Sequence, residues 1–483
     1  MLNWGIIINV LGLLSAINGV FMLFCIPIAY AYDEAGMNTF FYSSLICFAL
    51  GGFLLLLTRN HKKELKKREG YLIVALGWLM LAFTGTLPFV LSGVVPSFTD
   101  AFFETMSGYT TTGATIITDI EVLPHAILFW RSVTHWIGGM GIIVLTIAIL
   151  PLLGIGGMQL FAAESPGPST DKMHPRIKET AKRLWAIYVF LTLIETILLM
   201  VGGMTMFDAV NHAMSTISTG GFSTKNASVA FYDSPYIHWV ITLFMFIAGI
   251  NFTMTYFALK GNFKKLLNNE EFKFYSLAAI VSGLFVSTVV WLTNGQPIEQ
   301  SFREGFFMVV AIGTSTGFVT ADYTLWSPLV VVIFFWLMFM GASAGSTSGG
   351  VKVVRHLIIL KNSLLELKKL IHPSAIIPVK LNKKAVPEEI VFNVLSFILI
   401  YLFIFIFGAV VMASMGLDFK TAIGASIACI GNIGPGLGGV GPTENYSQIP
   451  MLGKWFLSFL MLLGRLELFT VLILLTPFFW RKN

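Results

Sequence analysis

Ten long apolar runs, interrupted at regular places by short amphipathic ones, set the rhythm of the chain. Residues 4–30 and 38–58 are each long enough to cross about 30 Å of hydrocarbon and predict a two-span hairpin. From residue 70 a longer pattern recurs four times: a full span, a half-length amphipathic run, a glycine-hydroxyl loop and a return span. The copies read 70–92, 98–110 and 125–153; then 183–204, 206–218 and 236–259; then 272–293, 298–313 and 328–360; then 389–415, 417–430 and 451–480. The predicted fold is an all-α polytopic membrane protein of ten spans, with four span–pore-helix–span repeats around a pseudo-fourfold pore. Its units are the added N-terminal hairpin at 1–69 and repeats at 70–182, 183–271, 272–388 and 389–483.

The four loops read Thr110-Thr111-Thr112-Gly113, Ser218-Thr219-Gly220-Gly221, Thr314-Ser315-Thr316-Gly317 and Gly431-Asn432-Ile433-Gly434. Glycine beside small hydroxyl residues lets a backbone extend without Cβ clashes and aim its carbonyls at one point. Four such loops can ring an axis with oxygens, which is how an ion filter replaces a cation's water. A half-helix ending at membrane depth points its negative dipole end at that axis. Non-helical backbone survives there only inside protein or beside water. The pattern therefore predicts a cation site that needs no carboxylate, and isolated helix kinks would not recur four times in one frame. Asp100 and Asp208 stand at matching distances before Gly113 and Gly221, where an N-cap belongs. That match favours Gly221 over Gly220 as the second filter glycine. The third and fourth copies start with Gln300-Ser301 and Lys420-Thr421 and align on their glycines alone.

The return span of the third copy is itself interrupted. Gly341, Ala342, Ser343, Ala344, Gly345, Ser346, Thr347, Ser348, Gly349 and Gly350 break an apolar run, and no helix is stable across that composition. A loop at mid-membrane below the filter is expected, weakly held because its side chains are too small to pack. Arg465 falls near the centre of the last span. A mid-bilayer arginine costs about 2.5–3.5 kcal/mol on insertion scales, so it faces protein or pore. Glu467 points off another side of the helix, which leaves the 341–350 loop as the expected acceptor. Arg131, His135 and Trp136 open the return span of the first copy; the Arg/His pair either orients the filter from behind or anchors the interface, and the anchoring reading is favoured. His125 and His212 are expected to be interfacial, and Glu195 to pair with a polar neighbour.

Charge agrees with a membrane assignment. Of 483 residues 56% are hydrophobic and 12% charged, where a soluble domain carries about 25% charge. The net charge of +6 does not argue for nucleic acid, because 25 of the 31 Lys and Arg fall at 59–69, 160–183, 260–273, 352–384 and 481–482. Those segments follow every second span, so the positive-inside rule makes them cytoplasmic and puts both termini inside. The basic 352–384 segment offers a docking face for an acidic partner. Cys25, Cys47 and Cys429 lie in apolar runs without metal-ligand spacing and read as buried free thiols. The first run lacks the start and cleavage site of a signal peptide and reads as a true span.

Together the four loops, the Gly341-Ala-Ser-Ala-Gly-Ser-Thr-Ser-Gly-Gly-Val-Lys352 stretch, Asn432-Ile433-Gly434-Pro435-Gly436 and Gly464-Arg465-Leu466-Glu467 resemble the Trk/Ktr/HKT potassium transporter superfamily, most closely its bacterial Trk-type membrane subunits. The resemblance covers essentially the whole chain. It implies four pore-loop units with one filter glycine each, potassium as the permeant ion, the 341–350 loop as an intramembrane gate, a homodimer in the bacterial inner membrane, and a cytoplasmic TrkA-like nucleotide-binding regulatory ring. The filter is poorer than a Thr-Val-Gly-Tyr-Gly filter, so one strong site and modest discrimination among larger alkali ions are expected. The sequence carries no Gly-x4-Gly-Lys-Ser/Thr, which argues against ATP-driven pumping by this chain and calls for no organic cofactor. Two rivals compete. A sodium- or proton-coupled potassium symporter would share the architecture, and the sequence does not separate it from a channel-like path. An intramembrane serine hydrolase would use Gly313-Thr-Ser315-Thr-Gly317 or Gly341-Ala-Ser343-Ala-Gly345, but a nucleophile elbow needs a strand-turn-helix setting and a His base. The chain is therefore not expected to be an enzyme.

Overall fold

A computed structural model describes residues 2–34, 36–59, 66–144, 173–373 and 377–481. Parts of the expected span 125–153 and of the basic segments 59–69 and 160–183 lie outside the described residues, as does Lys482. Among the described residues six helices are long and apolar enough to cross a membrane: Trp4–Ala31, Met37–Leu57, Arg68–Leu91, Ala181–Val201, Glu270–Asn294 and Glu388–Ser414.

The first two pair along small residues. A Cβ on Gly51 would come within 2.7 Å of Gly12 O, so the backbones touch, as apolar helices in lipid must if packing is to hold them. Asn18 ties the hairpin to the rest: it donates to Thr84 Oγ1 at 2.8 Å and accepts from Tyr109 OH at 2.5 Å. The three cysteines are buried and free.

Four short helices follow the expected runs: Phe98–Tyr109, Met206–Ile217, Ile298–Gly313 and Phe419–Ile430. Their ends are set by capping. Ser97 and Thr205 accept from the backbone N–H of Asp100 and Asp208, so those aspartates lie in the first turn and are not N-caps as the spacing suggested. In the fourth copy Asp418 is the cap, accepting from Lys420 and Thr421. Ser97, Thr205 and Asp418 each stand the same distance before their loop glycine, and the third helix is about one turn longer.

Three return spans differ from straight helices. Pro235–Ala248 and Phe252–Leu259 meet at 110°, and Met451–Arg465 and Phe469–Leu475 at 113°. At the first bend the freed backbone groups find partners in the 341–350 loop: Ser343 N donates to Gly249 O at 3.0 Å and Phe252 N to Gly345 O at 3.1 Å. At the second, Glu467 and Leu468 take positive φ of 55° and 50°. The third interrupted span is the expected one, Pro328–Met340, then loop, then Val353–Ile371. The fold is also not purely helical. Lys380–Leu381 pairs antiparallel with Lys384–Ala385 across a turn in which Asn382 and Lys383 both have positive φ, the geometry of a two-residue hairpin.

Candidate functional site

Each short helix ends in the same way. Thr110, Ser218, Thr314 and Gly431 are the C-caps, and the next residues, Thr111, Thr219, Ser315 and Asn432, take φ between 50° and 56°. The main-chain bonds repeat at fixed offsets. Thr112 N donates to Ser107 O at 2.9 Å, Gly220 N to Ser215 O at 2.8 Å, Thr316 N to Ala311 O at 2.8 Å and Ile433 N to Ala428 O at 2.9 Å. This is the Schellman closure, with a hydroxyl or amide residue where glycine is usual. A β-branched residue at positive φ is a true outlier and persists only where the surroundings over-determine it.

The chain then turns again at Gly113, Gly221, Gly317 and Gly434, with φ from 76° to 93°. Added Cβ atoms there identify the neighbours. One on Gly113 would overlap Gly220 O, one on Gly221 would overlap Thr316 O, one on Gly317 would overlap Ile433 O, and one on Gly434 would come within 2.6 Å of Thr112 O. The four loops therefore close a ring in the order one, two, three, four, one. Gly221, not Gly220, is the equivalent glycine; Gly220 supplies the carbonyl position held by Thr112, Thr316 and Ile433.

The ring is not perfectly fourfold. Thr110 and Thr112 share a hydroxyl hydrogen bond of 2.8 Å, and Thr314 and Thr316 share another of 2.8 Å, whereas the second loop keeps only the first hydroxyl, on Ser218, and the fourth has neither. Asn432 instead donates to Thr112 Oγ1 at 3.0 Å and to Met461 O at 2.9 Å, tying the last loop to the first. A vestibule is lined by all four glycines with Arg131, Lys225, Glu444 and Tyr446. Among the described residues, no group of three or more His, Cys, Asp or Glu could hold a metal ion. Any cation at the ring meets backbone and hydroxyl oxygens.

The 341–350 loop packs against the ring. Gly349 N donates to Ser315 Oγ at 2.6 Å, Thr347 Oγ1 to Ile217 O at 3.0 Å, and a Cβ on Gly349 would overlap Gly431 O. Contrary to the expectation of a weakly held segment, backbone polar groups take the place of packing side chains. Ala342 N donates to Ser348 Oγ, Ala344 N to Glu271 Oε1 at 2.7 Å, Asn251 Nδ2 to Ala344 O at 2.7 Å, and the buried Lys352 ammonium to Ser348 O. Arg465 ends its helix under this loop and is fully buried. It donates to Thr347 O at 2.6 Å and to Gly138 O at 2.9 Å. Glu467 indeed turns elsewhere, to Arg355 at 2.5 Å. A small cavity lies between loop and arginine, bounded by Ser346, Gly349, Lys352, Gly464 and Arg465.

Behind the ring three expectations change. Arg131 pairs with buried Glu104 at 2.9 Å and touches two loops, so the favoured anchoring role is incomplete. His135 stacks on Phe222 at 4.0 Å. His212 is buried and not interfacial; its Nε2 meets Ser223 Oγ at 2.9 Å. Glu195 is buried beside Thr216, the expected polar neighbour, but neither of its oxygens makes a close hydrogen bond among the described residues. Glu104 escaped sequence reading because its partner is 27 residues away; a lone acid inside a half-helix was its only signal.

A helical membrane protein with four short helices aimed at a glycine ring is the class this geometry defines. The sequence matches the family described as TrkH, Cation transport protein, over residues 36–482, and the chain belongs to that family. It is 42% identical over 480 residues to the Trk system potassium uptake protein TrkH of Salmonella typhimurium, covering 99% of both chains. It is 35% identical to the Trk system potassium uptake protein TrkG of Escherichia coli, again over 99% of each. The crystal structure of the potassium transporter TrkH from Vibrio parahaemolyticus aligns with a TM-score of 0.92 at 38% identity, covering 99% of this chain and 100% of that one. These relatives are named as transporters, not enzymes.

Proposed function

We propose that this chain takes up potassium through the ring, with Gly113, Gly221, Gly317 and Gly434 as filter glycines. The carbonyls of Thr112, Gly220, Thr316 and Ile433 stand among the oxygens that replace the ion's water. The observation that carries the reading is the cyclic closure of four identically folded loops, each glycine lying against the next loop's carbonyl. A filter of this kind needs carbonyls held at fixed spacing, and the repeated helix closures supply that. The 341–350 loop with Arg465 is the gate. It occupies the space under the ring, and a fixed buried cation there opposes passage of another.

The protein works as a homodimer in the bacterial inner membrane with both termini cytoplasmic, where Lys and Arg concentrate. A TrkA-like nucleotide-binding ring docks on the basic helix Val353–Ile371 and the hairpin after it, which present Lys361, Lys368, Lys369, Lys383 and Lys384. No organic cofactor is required. The test is reversal potential in proteoliposomes under separate potassium, sodium and pH gradients. A potential that follows potassium alone supports a channel-like path; one that shifts with sodium or protons makes the chain a coupled symporter. Gly113→Ser, which pushes a Cβ into Gly220 O, should lower the potassium-over-sodium ratio in well-inserted protein, and an unchanged ratio would remove Gly113 from the filter.

A further inference from the structure

We propose that Glu104 and Arg131 form a charge-neutral brace that holds the first and second loops in register and so sets selectivity; this rests on reading the ring as the potassium filter. Glu104 lies inside the first short helix and is completely buried. Both its oxygens serve the chain just beyond Gly113: they accept from Thr115 Oγ1 at 3.0 Å each, and Oε2 also accepts from Ile116 N at 3.0 Å. Arg131, from the return helix, donates Nε to Glu104 at 2.9 Å. Its remaining nitrogens spread over two loops, Nη2 to Thr115 Oγ1 at 3.4 Å and Nη1 to Ser223 O at 3.2 Å. The guanidinium also sits 4.1 Å above the Phe222 ring, directly after Gly221. One planar fork thus fixes the stretch that follows each of two filter glycines, a task a point-like ammonium does poorly.

Among the described residues no other unit has this device. The residues equivalent to Glu104, counted from the loop glycine, are His212, Met308 and Ala425. His212 reaches Ser223 Oγ at 2.9 Å and Met308 accepts from Thr320 N at 3.5 Å; an alanine has nothing to offer. The charged pair belongs to one side of the ring. Pairing also solves an electrostatic problem. Arg131 lines the vestibule beside the ring, and an uncompensated cation there would repel the permeant ion, whereas the pair is neutral. Removing either member leaves a buried charge unpaired, so the two single substitutions must differ in sign toward potassium while agreeing in their damage to register.

The experiment compares Glu104→Gln, Arg131→Gln, Arg131→Lys and the double Gln variant in proteoliposomes, reading the reversal-potential ratio and the potassium concentration giving half-maximal flux. Both single Gln variants should lower the potassium-over-sodium ratio at least roughly threefold, the scale of weakening one charge-assisted hydrogen bond. Glu104→Gln should raise the half-maximal potassium concentration, Arg131→Gln should not, and Arg131→Lys should keep the affinity but lose part of the selectivity. Glu366→Gln, which breaks an exposed pair with Lys369 on the helix Val353–Ile371, should change neither reading. An unchanged ratio in monodisperse variants melting near wild type overturns the brace. If the single variants do not fold, the double variant, free of unpaired buried charge, decides by the same ratio. Gly113→Ser in the same vesicles separates the levels: if it alone shifts the ratio, only the brace fails, and if nothing shifts it, the filter reading fails as well.

Discussion

Two glycine-hydroxyl regions meet near the middle of this molecule and are built on opposite principles. In the ring, each loop is closed by bonds to its own helix: Thr112 to Ser107, Gly220 to Ser215, Thr316 to Ala311 and Ile433 to Ala428. In the 341–350 loop six bonds leave the unit, to Ile217, Gly249, Asn251, Phe252 and Glu271 of the second repeat and to Arg465 of the fourth. Composition is nearly the same; the address of the partners is not. A loop closed on its own helix keeps its local turn when neighbouring units shift, and a few contacts between loops, from Arg131 to Ser223 and from Asn432 to Thr112, set only its register. A loop held from outside keeps its place only while several elements stay in register, so moving any one of them loosens it. The first suits a filter and the second a gate.

The strongest way to break this comparison is to delete Ala342 to Ser348. That removes the contacts of Thr347 with Ile217 and Arg465 and those of Ala344 with Asn251 and Glu271. At about 1 kcal/mol net for each hydrogen bond, losing three or more shifts the closed state by roughly a hundredfold. Basal flux in vesicles without any regulator should therefore rise steeply, while the potassium-over-sodium ratio, set by locally closed loops, stays put. A rise in flux accompanied by lost selectivity would mean that the loop also shapes the ring.

Arg465→Ala is the next largest. Two charge-assisted bonds disappear, to Thr347 O and Gly138 O, together with the buried cation. An increase in per-protein flux on the order of tenfold is expected. Arg465→Lys keeps the charge but cannot reach both acceptors with a planar fork, and should fall between. Flux and folded yield are measured on one preparation; lower yield with unaltered flux would make the arginine a plain tie between helices.

These contrasts also explain which features could be read from the chain. The ring was legible because it repeats: four glycines behind four half-length runs, with the bonds that shape each loop inside one short window. The interruption at 341–350 was legible from its composition. The bends at Gly249–Asn251 and Leu466–Leu468 were not, since a single polar residue in each, Asn251 and Glu467, interrupts the apolar run too briefly to mark a break and the groups satisfying the broken helix lie far away, Ser343 and Gly345 in the first case. The offset of the caps has a simpler cause. Ser97 and Thr205 stand three residues before the aspartates, and either residue type caps a helix. Glu104 and Arg131 needed the fold to bring them together, and the small strand pair at 380–385 is too short to announce itself.

Thr347→Val should have the smallest effect and is the sharpest probe. Thr347 holds the loop in two ways: its carbonyl accepts from Arg465, and its hydroxyl donates to Ile217 O at the end of the second short helix. Valine keeps the backbone, the shape and the arginine contact while deleting only the hydroxyl, leaving Ile217 O without that donor. One neutral hydrogen bond is worth about 1 kcal/mol net, roughly fivefold in the open-to-closed ratio. If the loop is held by several independent outside contacts, the valine variant should leak modestly, and the effect should add to that of Arg465→Lys. Single-channel or stopped-flow flux on the two single variants and their combination measures this. If valine alone opens the path as fully as the deletion does, the loop hangs on one bond and the picture of distributed support is wrong. If valine changes nothing in the Arg465→Lys background either, the Ile217 contact bears no part of the closed state.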